Sequence, residues 1–74
     1  PVLVAKETLY VVEWLAADGK KRWAVWSTEK TDPSEIEIVG KAVLVDYLGN
    51  KLKQMPVISD KVVYITEAEE VKIK

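Results

Sequence analysis

Turn-forming residues divide this chain into short apolar runs, and that division restricts its fold more than any other feature. The runs are rich in valine, isoleucine, tyrosine and tryptophan, and valine alone accounts for 12 of the 74 residues. Such residues favour extended backbone, and short runs of them between turns are typical of small all-β domains. The turn positions are Asp18-Gly19, Asp32-Pro33-Ser34, Gly40, Gly49-Asn50, Met55-Pro56 and Ser59-Asp60. We therefore predict a single domain over 1–74, an all-β antiparallel barrel or sheet of about five or six strands.

The clearest unit is a hairpin over 9–27 that turns at Asp18-Gly19. Asp-Gly between two β-favouring runs is a strong hairpin signal because both residues tolerate positive φ. Two registers are open at this point. A two-residue turn places Trp14 opposite Trp23, whereas a type I turn with a Gly19 bulge places Trp14 opposite Arg22 and Tyr10 opposite Trp26.

Side-chain alternation within this hairpin is the same in both registers. Tyr10, Val12 and Trp14 share one face of the first strand, and the other face carries Leu9, Val11, Glu13 and Leu15. In the second strand Arg22, Ala24 and Trp26 alternate with Trp23 and Val25.

A second hairpin is predicted at Gly49-Asn50, where glycine at the first central position suits a type II′ turn. That turn pairs Asp46 with Lys53 on the solvent face. The side chains then expected to point inward are Val43, Val45, Tyr47 and Leu52.

The segment over 33–48 fits two descriptions. Asp32 and Pro33 have the character of a helix start, Glu35 follows three residues after Asp32, and Gly49 suits a helix end. These signals allow a helix over 33–48 packed on a β-sheet, which makes the fold α+β. Against the helix, the segment is rich in β-branched residues and contains Gly40. We favour strand, preceded by one helical turn at 33–36.

The C-terminal part predicts a strand over 61–66, a tight turn over 67–70 and a short strand over 71–74. Lysines on that last strand would protect an exposed sheet edge. A turn before a short final strand resembles the arrangement in SH3-like barrels, and the SH3-like assignment rests on that analogy alone.

The composition excludes several classes of chemistry. Because the chain contains neither cysteine nor histidine, it has no disulfide framework, no thiol catalysis and no His-based triad. Its net charge of −1 lacks the excess of Lys and Arg that general nucleic-acid binders carry. The acidic runs over 29–37 and 67–70 do not have the spacing of a Ca²⁺ loop, so we expect no metal and no cofactor. No membrane span or secretory signal is visible, and we expect a cytoplasmic location.

The aromatic residues of the first hairpin are the best candidates for a binding site. A core this small holds one or two tryptophans, so we expect Trp23 inside and an exposed face made of Tyr10, Trp14 and Trp26. Arg22 would stack on that face, and Lys20 and Lys21 would form its basic rim. The competing interpretation is that all of these rings are core. The predicted function is non-enzymatic binding of a protein partner, or self-association, through this face.

Two alternatives to protein binding stay open at this point. Rings beside a Lys20-Lys21-Arg22 cluster are also typical of single-stranded nucleic-acid binding, in which bases stack on rings and cations follow the backbone. Many β-branched and charged residues with few thermolabile side chains are typical of thermophile proteins. A designed scaffold without native function fits the same composition.

One resemblance points to an enzyme. Pro1-Val2-Leu3-Val4 resembles the opening strand of the tautomerase family, small oligomeric enzymes with a catalytic N-terminal proline. The resemblance implies that a free Pro1 amine acts as base or nucleophile. That family continues with a long amphipathic helix, whereas a hairpin is predicted here, and its arginines have no positional match.

Overall fold

The computed structural model describes all 74 residues, and it is all-β, as predicted. Its strands are β1 (Val2–Lys6), β2 (Leu9–Leu15), β3 (Lys21–Ser27), β4 (Ile36–Val39), β5 (Val43–Val45), β6 (Lys51–Leu52), β7 (Val63–Thr66) and β8 (Glu70–Ile73). The helical content is one 3₁₀ turn at Pro33–Glu35. No helix of the structure has the length and apolar character that crossing a membrane requires.

Six strands form one antiparallel sheet in the order β1-β2-β3-β7-β5-β6, and β4 pairs with β8 in a separate two-stranded sheet. The larger sheet ends at β1 and β6, which do not pair with each other. Of the two predicted forms, barrel or sheet, the structure has the sheet. β4 and β8 lie in segments predicted to be strands, but the sequence pattern did not indicate that they pair in a separate sheet.

The core lies between one face of the six-stranded sheet and the β4–β8 pair. Its buried members include Leu9, Val11, Trp23, Val25, Leu44 and Ile65 from the sheet, Ile36 and Val71 from the pair, and Ile58 from the loop before β7. Reciprocal backbone hydrogen bonds of 2.8 and 2.9 Å between Thr31 and Ile58 fix that loop. The opposite face of the sheet contributes only Ala24 to the buried residues.

The β2–β3 hairpin has the second of the two predicted registers. Trp14 lies opposite Arg22, and Tyr10 lies opposite Trp26. The Gly19 amide donates to the Ala16 carbonyl at 2.9 Å, and Gly19 has a φ of 82°. A type I turn followed by a left-handed glycine produces this bulged hairpin, because the bulge keeps the twist of the two strands matched.

The β5–β6 hairpin uses the same kind of turn, and the predicted type II′ register is wrong. Leu44 lies opposite Leu52 and Val45 opposite Lys51. The Asp46 carboxylate accepts from the amides of Leu48 and Asn50 at 2.9 Å each, which holds a type I turn, and Gly49 follows with a φ of 89°.

This register also changes which side chains of the hairpin face the core. Leu44 and Leu52 face it, as predicted for Leu52. Val43 and Val45 lie on the other face of the sheet, and Tyr47 is exposed in the turn, contrary to the prediction.

The helix over 33–48 is absent, and the favoured strand interpretation is confirmed. The Asp32 side chain accepts from the Ser34 amide at 2.8 Å, so it caps a helical turn as the sequence indicates. That turn ends at Glu35, and Ile36 already has extended backbone. The β-branched residues that follow enter β4, where side chains branched at Cβ pack well.

The first strand runs directly into the second through a turn at Glu7-Thr8, with Lys6 opposite Leu9. The long helix that the tautomerase resemblance implies after the opening strand is therefore not present. The fold of that family is not the fold of this chain.

Candidate functional site

The six-stranded sheet has an outer face, the one turned away from the core, and this face is mostly apolar. Its side chains are Leu3 and Ala5 from β1, Tyr10, Val12 and Trp14 from β2, Arg22, Ala24 and Trp26 from β3, Tyr64 and Thr66 from β7, and Val43 and Val45 from β5. Arg22 is the one charged member of this set. Lys51 of β6 lies beyond Val45 at the margin.

The three predicted aromatic residues all lie on the outer face. Tyr10 and Trp26 stack, with ring centroids 5.5 Å apart and planes inclined by 10°. Trp14 lies opposite Arg22, nearer the hairpin turn. All three rings are partly buried, and none belongs to the core cluster. The interpretation that every hairpin ring is core therefore does not describe this molecule.

Trp23 is the interior anchor, as predicted. Its side chain has no exposed surface. The indole Nε1 donates to Glu13 Oε1 at 3.0 Å, so the one polar group of this ring is satisfied. Because Glu13 is only partly buried, its carboxylate keeps contact with water while it accepts this bond.

Arg22 is held in place at one end of the outer face. Its Nη2 atom lies 3.0 Å from Asp18 Oδ2 across the hairpin turn. The Lys20 amide donates to the Asp18 carboxylate and is the main reason that the pKa of Asp18 lies below its usual value. Slight desolvation opposes this effect, and the Arg22 guanidinium adds to the lowering. The Asp18 carboxylate thus stays ionised and orients Arg22.

The predicted basic rim is divided between the two sides of the sheet. Lys20 is exposed in the turn. Lys21 alternates with Arg22 along β3, so it points to the other side, where its Nζ lies 3.9 Å from Glu13 Oε2. Two of the three basic residues are thus next to carboxylates. This pairing leaves less positive charge for a nucleic-acid backbone than the sequence cluster suggests.

Sequence reasoning missed the outer-face residues that come from other strands. Tyr64 lies opposite Ala24 and is 42% exposed, and Leu3 lies opposite Val12 and is 60% exposed. Alternation within 63–66 does separate Tyr64 from Val63 and Ile65. No local signal, however, indicates that β7 pairs with β3.

A Lys61–Tyr47 contact and the acidic side chains are the other candidate features of the surface. Lys61 lies over the Tyr47 ring, with Nζ 5.3 Å from the centroid, beside a shallow cleft of about 250 Å³. No group of three acidic side chains comes together in a way that could hold a metal ion. Neither feature brings together as many aromatic and apolar side chains as the outer face does.

Comparison with protein-family models, curated proteins and solved structures finds no significant match to this chain.

Proposed function

We propose that this chain is a non-enzymatic interaction module that binds another protein through the outer face. The observation that carries this proposal is that the chain leaves an apolar sheet face, with its stacked Tyr10–Trp26 pair, uncovered by its own elements. A sheet is stable when its apolar face is buried, and large contiguous apolar patches mark sites of protein interaction.

The composition of the outer face is that of an interface. Tyrosine, tryptophan and arginine are the residues most enriched among those that dominate binding energy. Tyr10, Trp26 and Tyr64 would anchor the contact, with Arg22 and the exposed Lys20 at its border. A partner of matching chemistry presents apolar side chains to these rings, with a hydrogen-bond acceptor toward Arg22, whose charge is already paired with Asp18. The likeness to SH3-like barrels, which rests on the final turn and strand, stays a proposal.

A photo-reactive residue tests the proposal. With p-benzoylphenylalanine at position 12, the crosslinker occupies the middle of the outer face, and the same residue at position 37, exposed on β4, is the matched control. Irradiation in an extract of the native cells should give a protein adduct at position 12 and not at position 37. Excess unlabelled chain should suppress the adduct, and excess of the Tyr10→Thr/Trp26→Thr variant should not.

The products also discriminate between alternatives. An adduct of twice the chain mass identifies a second copy as the partner. An adduct that nuclease removes contradicts protein binding and favours single-stranded nucleic acid. Equal adducts at both positions would refute a role for the outer face.

A further inference from the structure

The second feature of interest is the free edge of β1, which is separate from the outer face. β1 is the first strand of the six-stranded sheet, and its only partner is β2. Its five residues are all exposed, including Val2 at 56% and Val4 at 50%. An exposed apolar edge strand of this length is a template for pairing with another strand.

The ladder shows which backbone groups of β1 are free. At the two ends of the β2–β3 ladder, the Ala16 amide donates to the Lys20 carbonyl at 2.9 Å and the Thr28 amide donates to the Thr8 carbonyl at 3.0 Å. Even-numbered residues of β2 therefore bond to β3, and odd-numbered ones bond to β1, because successive residues of a strand point to opposite sides. Opposite those odd residues lie Val2, Val4 and Lys6. The amides and carbonyls of Leu3 and Ala5 consequently point away from the sheet.

The other free edges of the fold have features that discourage pairing, and β1 does not. β6 has only two residues. β8 carries Glu70 and Lys72, and β4 carries Glu37. Short strands and charged side chains are the usual protection of edges. In β1 the run from Val2 to Ala5 contains no charge, and Lys6 is its only charged residue.

A cleft lies beneath β1 on the core side. It measures about 370 Å³, and its apolar walls are Val4, Val11, Val71 and Ile73, with Glu13, Glu70 and Lys72 at its border. Side chains of a strand added beside β1 would alternate between the outer face and the mouth of this cleft. Free backbone groups and an apolar cleft at alternate positions are the two elements of recognition by strand addition.

We infer that the β1 edge binds an extended peptide segment of a partner protein, antiparallel to Val2–Lys6. The segment has apolar side chains at the positions that face the cleft and a carboxylate near Lys6. Its backbone bonds to the amides and carbonyls of Leu3 and Ala5. The Lys6 ammonium donates to the Lys74 carbonyl at 2.8 Å and has further N–H donors for that carboxylate. A second copy of β1 is a poorer occupant, because antiparallel self-pairing centred on Val4 places Lys6 opposite Val2 at both ends and supplies no carboxylate.

Amide hydrogen exchange measured by NMR tests this inference on the intact chain. The probe is a capped six-residue peptide that begins with glutamate, which antiparallel pairing places opposite Lys6, and continues with alternating threonine and valine, at millimolar concentration. Exchange at Leu3 and Ala5 should slow by about two- to tenfold, the factor expected for one hydrogen bond of ordinary strength. Exchange at Val2 and Val4, which already bond to β2, should not change. The same peptide with N-methylated threonines, the residues whose amides face Leu3 and Ala5, is the control and should have no effect.

Two variants complete the test. Leu3→Pro removes an outward amide from an edge position where proline is tolerated, and it should abolish binding, whereas Leu3→Thr keeps the amide and should bind.

Three results would overturn the inference. The first is unchanged exchange at Leu3 and Ala5. The second is protection of these amides without peptide that grows with protein concentration, which identifies a second copy as the occupant. The third is a change in amide exchange confined to Val12, Ala24 and Tyr64. This result would place the peptide on the outer face and would agree with the proposed function.

Discussion

Trp23 and Trp26 lie three residues apart on β3 and on opposite faces of the same sheet, so one substitution made at each position tests the architecture. Trp23 has no exposed surface and donates to Glu13 at 3.0 Å. Trp26 is partly exposed and stacks on Tyr10. Replacement by alanine removes the same atoms in both cases, so any difference between the two variants arises from the face that each residue occupies.

The structure gives different costs for the two substitutions. Trp23→Ala creates a cavity in the core, and its cost is about 3–5 kcal/mol. Trp26→Ala loses the stacked pair, about 0.5–1.5 kcal/mol, and a modest amount of apolar burial, which brings the cost to about 1–2 kcal/mol. A chain of 74 residues has a free energy of unfolding of about 4–11 kcal/mol. Trp23→Ala therefore removes a large share of the total stability, and Trp26→Ala does not.

Urea unfolding followed by circular dichroism measures the difference. For a small domain the dependence of the unfolding free energy on urea is about 1 kcal/mol per molar. The two costs differ by about 1–4 kcal/mol, so the midpoint of Trp23→Ala should fall about 1–4 M below that of Trp26→Ala. Equal midpoints, or a lower midpoint for Trp26→Ala, would show that the outer face is buried in the isolated chain and would refute the reasoning.

Three further outcomes follow from the turns and from Glu13. Glu13→Ala should destabilise the fold by about 1–3 kcal/mol because it leaves the buried Trp23 indole without an acceptor. Glu13→Gln keeps an acceptor and should cost less. Equal urea midpoints for the two variants would show that Glu13 does not stabilise the fold as the acceptor of Trp23. Gly49→Ala should cost about 1–2 kcal/mol of stability. The cost comes from the backbone, because φ is 89° and no neighbouring atom lies near the added Cβ. Gly49→Asn should cost less because asparagine tolerates the left-handed region, and a larger loss for Asn in thermal unfolding would contradict a left-handed Gly49. The turn carboxylates of Asp18, Asp32 and Asp46 have pKa values below the ordinary 3.8, each chiefly because a backbone amide donates to it. Because the pKa of each carboxyl is lower in the folded chain, these groups stabilise the fold above pH 3.8, and their contribution is lost as the pH falls through the lowered pKa values. Urea midpoints should therefore be level from about pH 6 to about pH 4 and should decrease at lower pH. Midpoints that rise on acidification would contradict this expectation.

Local chemistry explains what could be predicted from the sequence. The Asp18-Gly19 turn, the alternation in β2 and β3, the inward position of Trp23 and the Asp32 cap each depend on residues close in sequence. Their determinants are backbone conformations that few residue types adopt and a period of two along a strand. The strands over 33–48 were also predictable, because β-branched side chains outweighed a correct helix-start signal at Asp32.

The error at Gly49 shows why a turn residue alone does not set register. Glycine fits both the first central position of a type II′ turn and the left-handed position after a type I turn. Asp46 decides between the two, because its carboxylate accepts from the amides of Leu48 and Asn50 only when the type I turn begins at Asp46. The available signal was Asp46 three residues before Gly49, because aspartate is favoured at the first position of a type I turn and glycine at the fourth.

The candidate site was predictable only as far as one hairpin extends. Tyr10, Trp14, Arg22 and Trp26 share a face because β2 and β3 are neighbours in sequence as well as in the sheet. Tyr64 and Leu3 reach the same face through pairings of β7 with β3 and of β1 with β2. The first of these pairings connects residues about 40 positions apart (Ala24 with Tyr64), and nothing in either strand specifies it. Ala24 lies between Val12 of β2 and Tyr64 of β7 and is itself buried, so the middle of the outer face is formed by side chains from three strands. The specificity of such a surface therefore depends on the assembled sheet rather than on the hairpin motif.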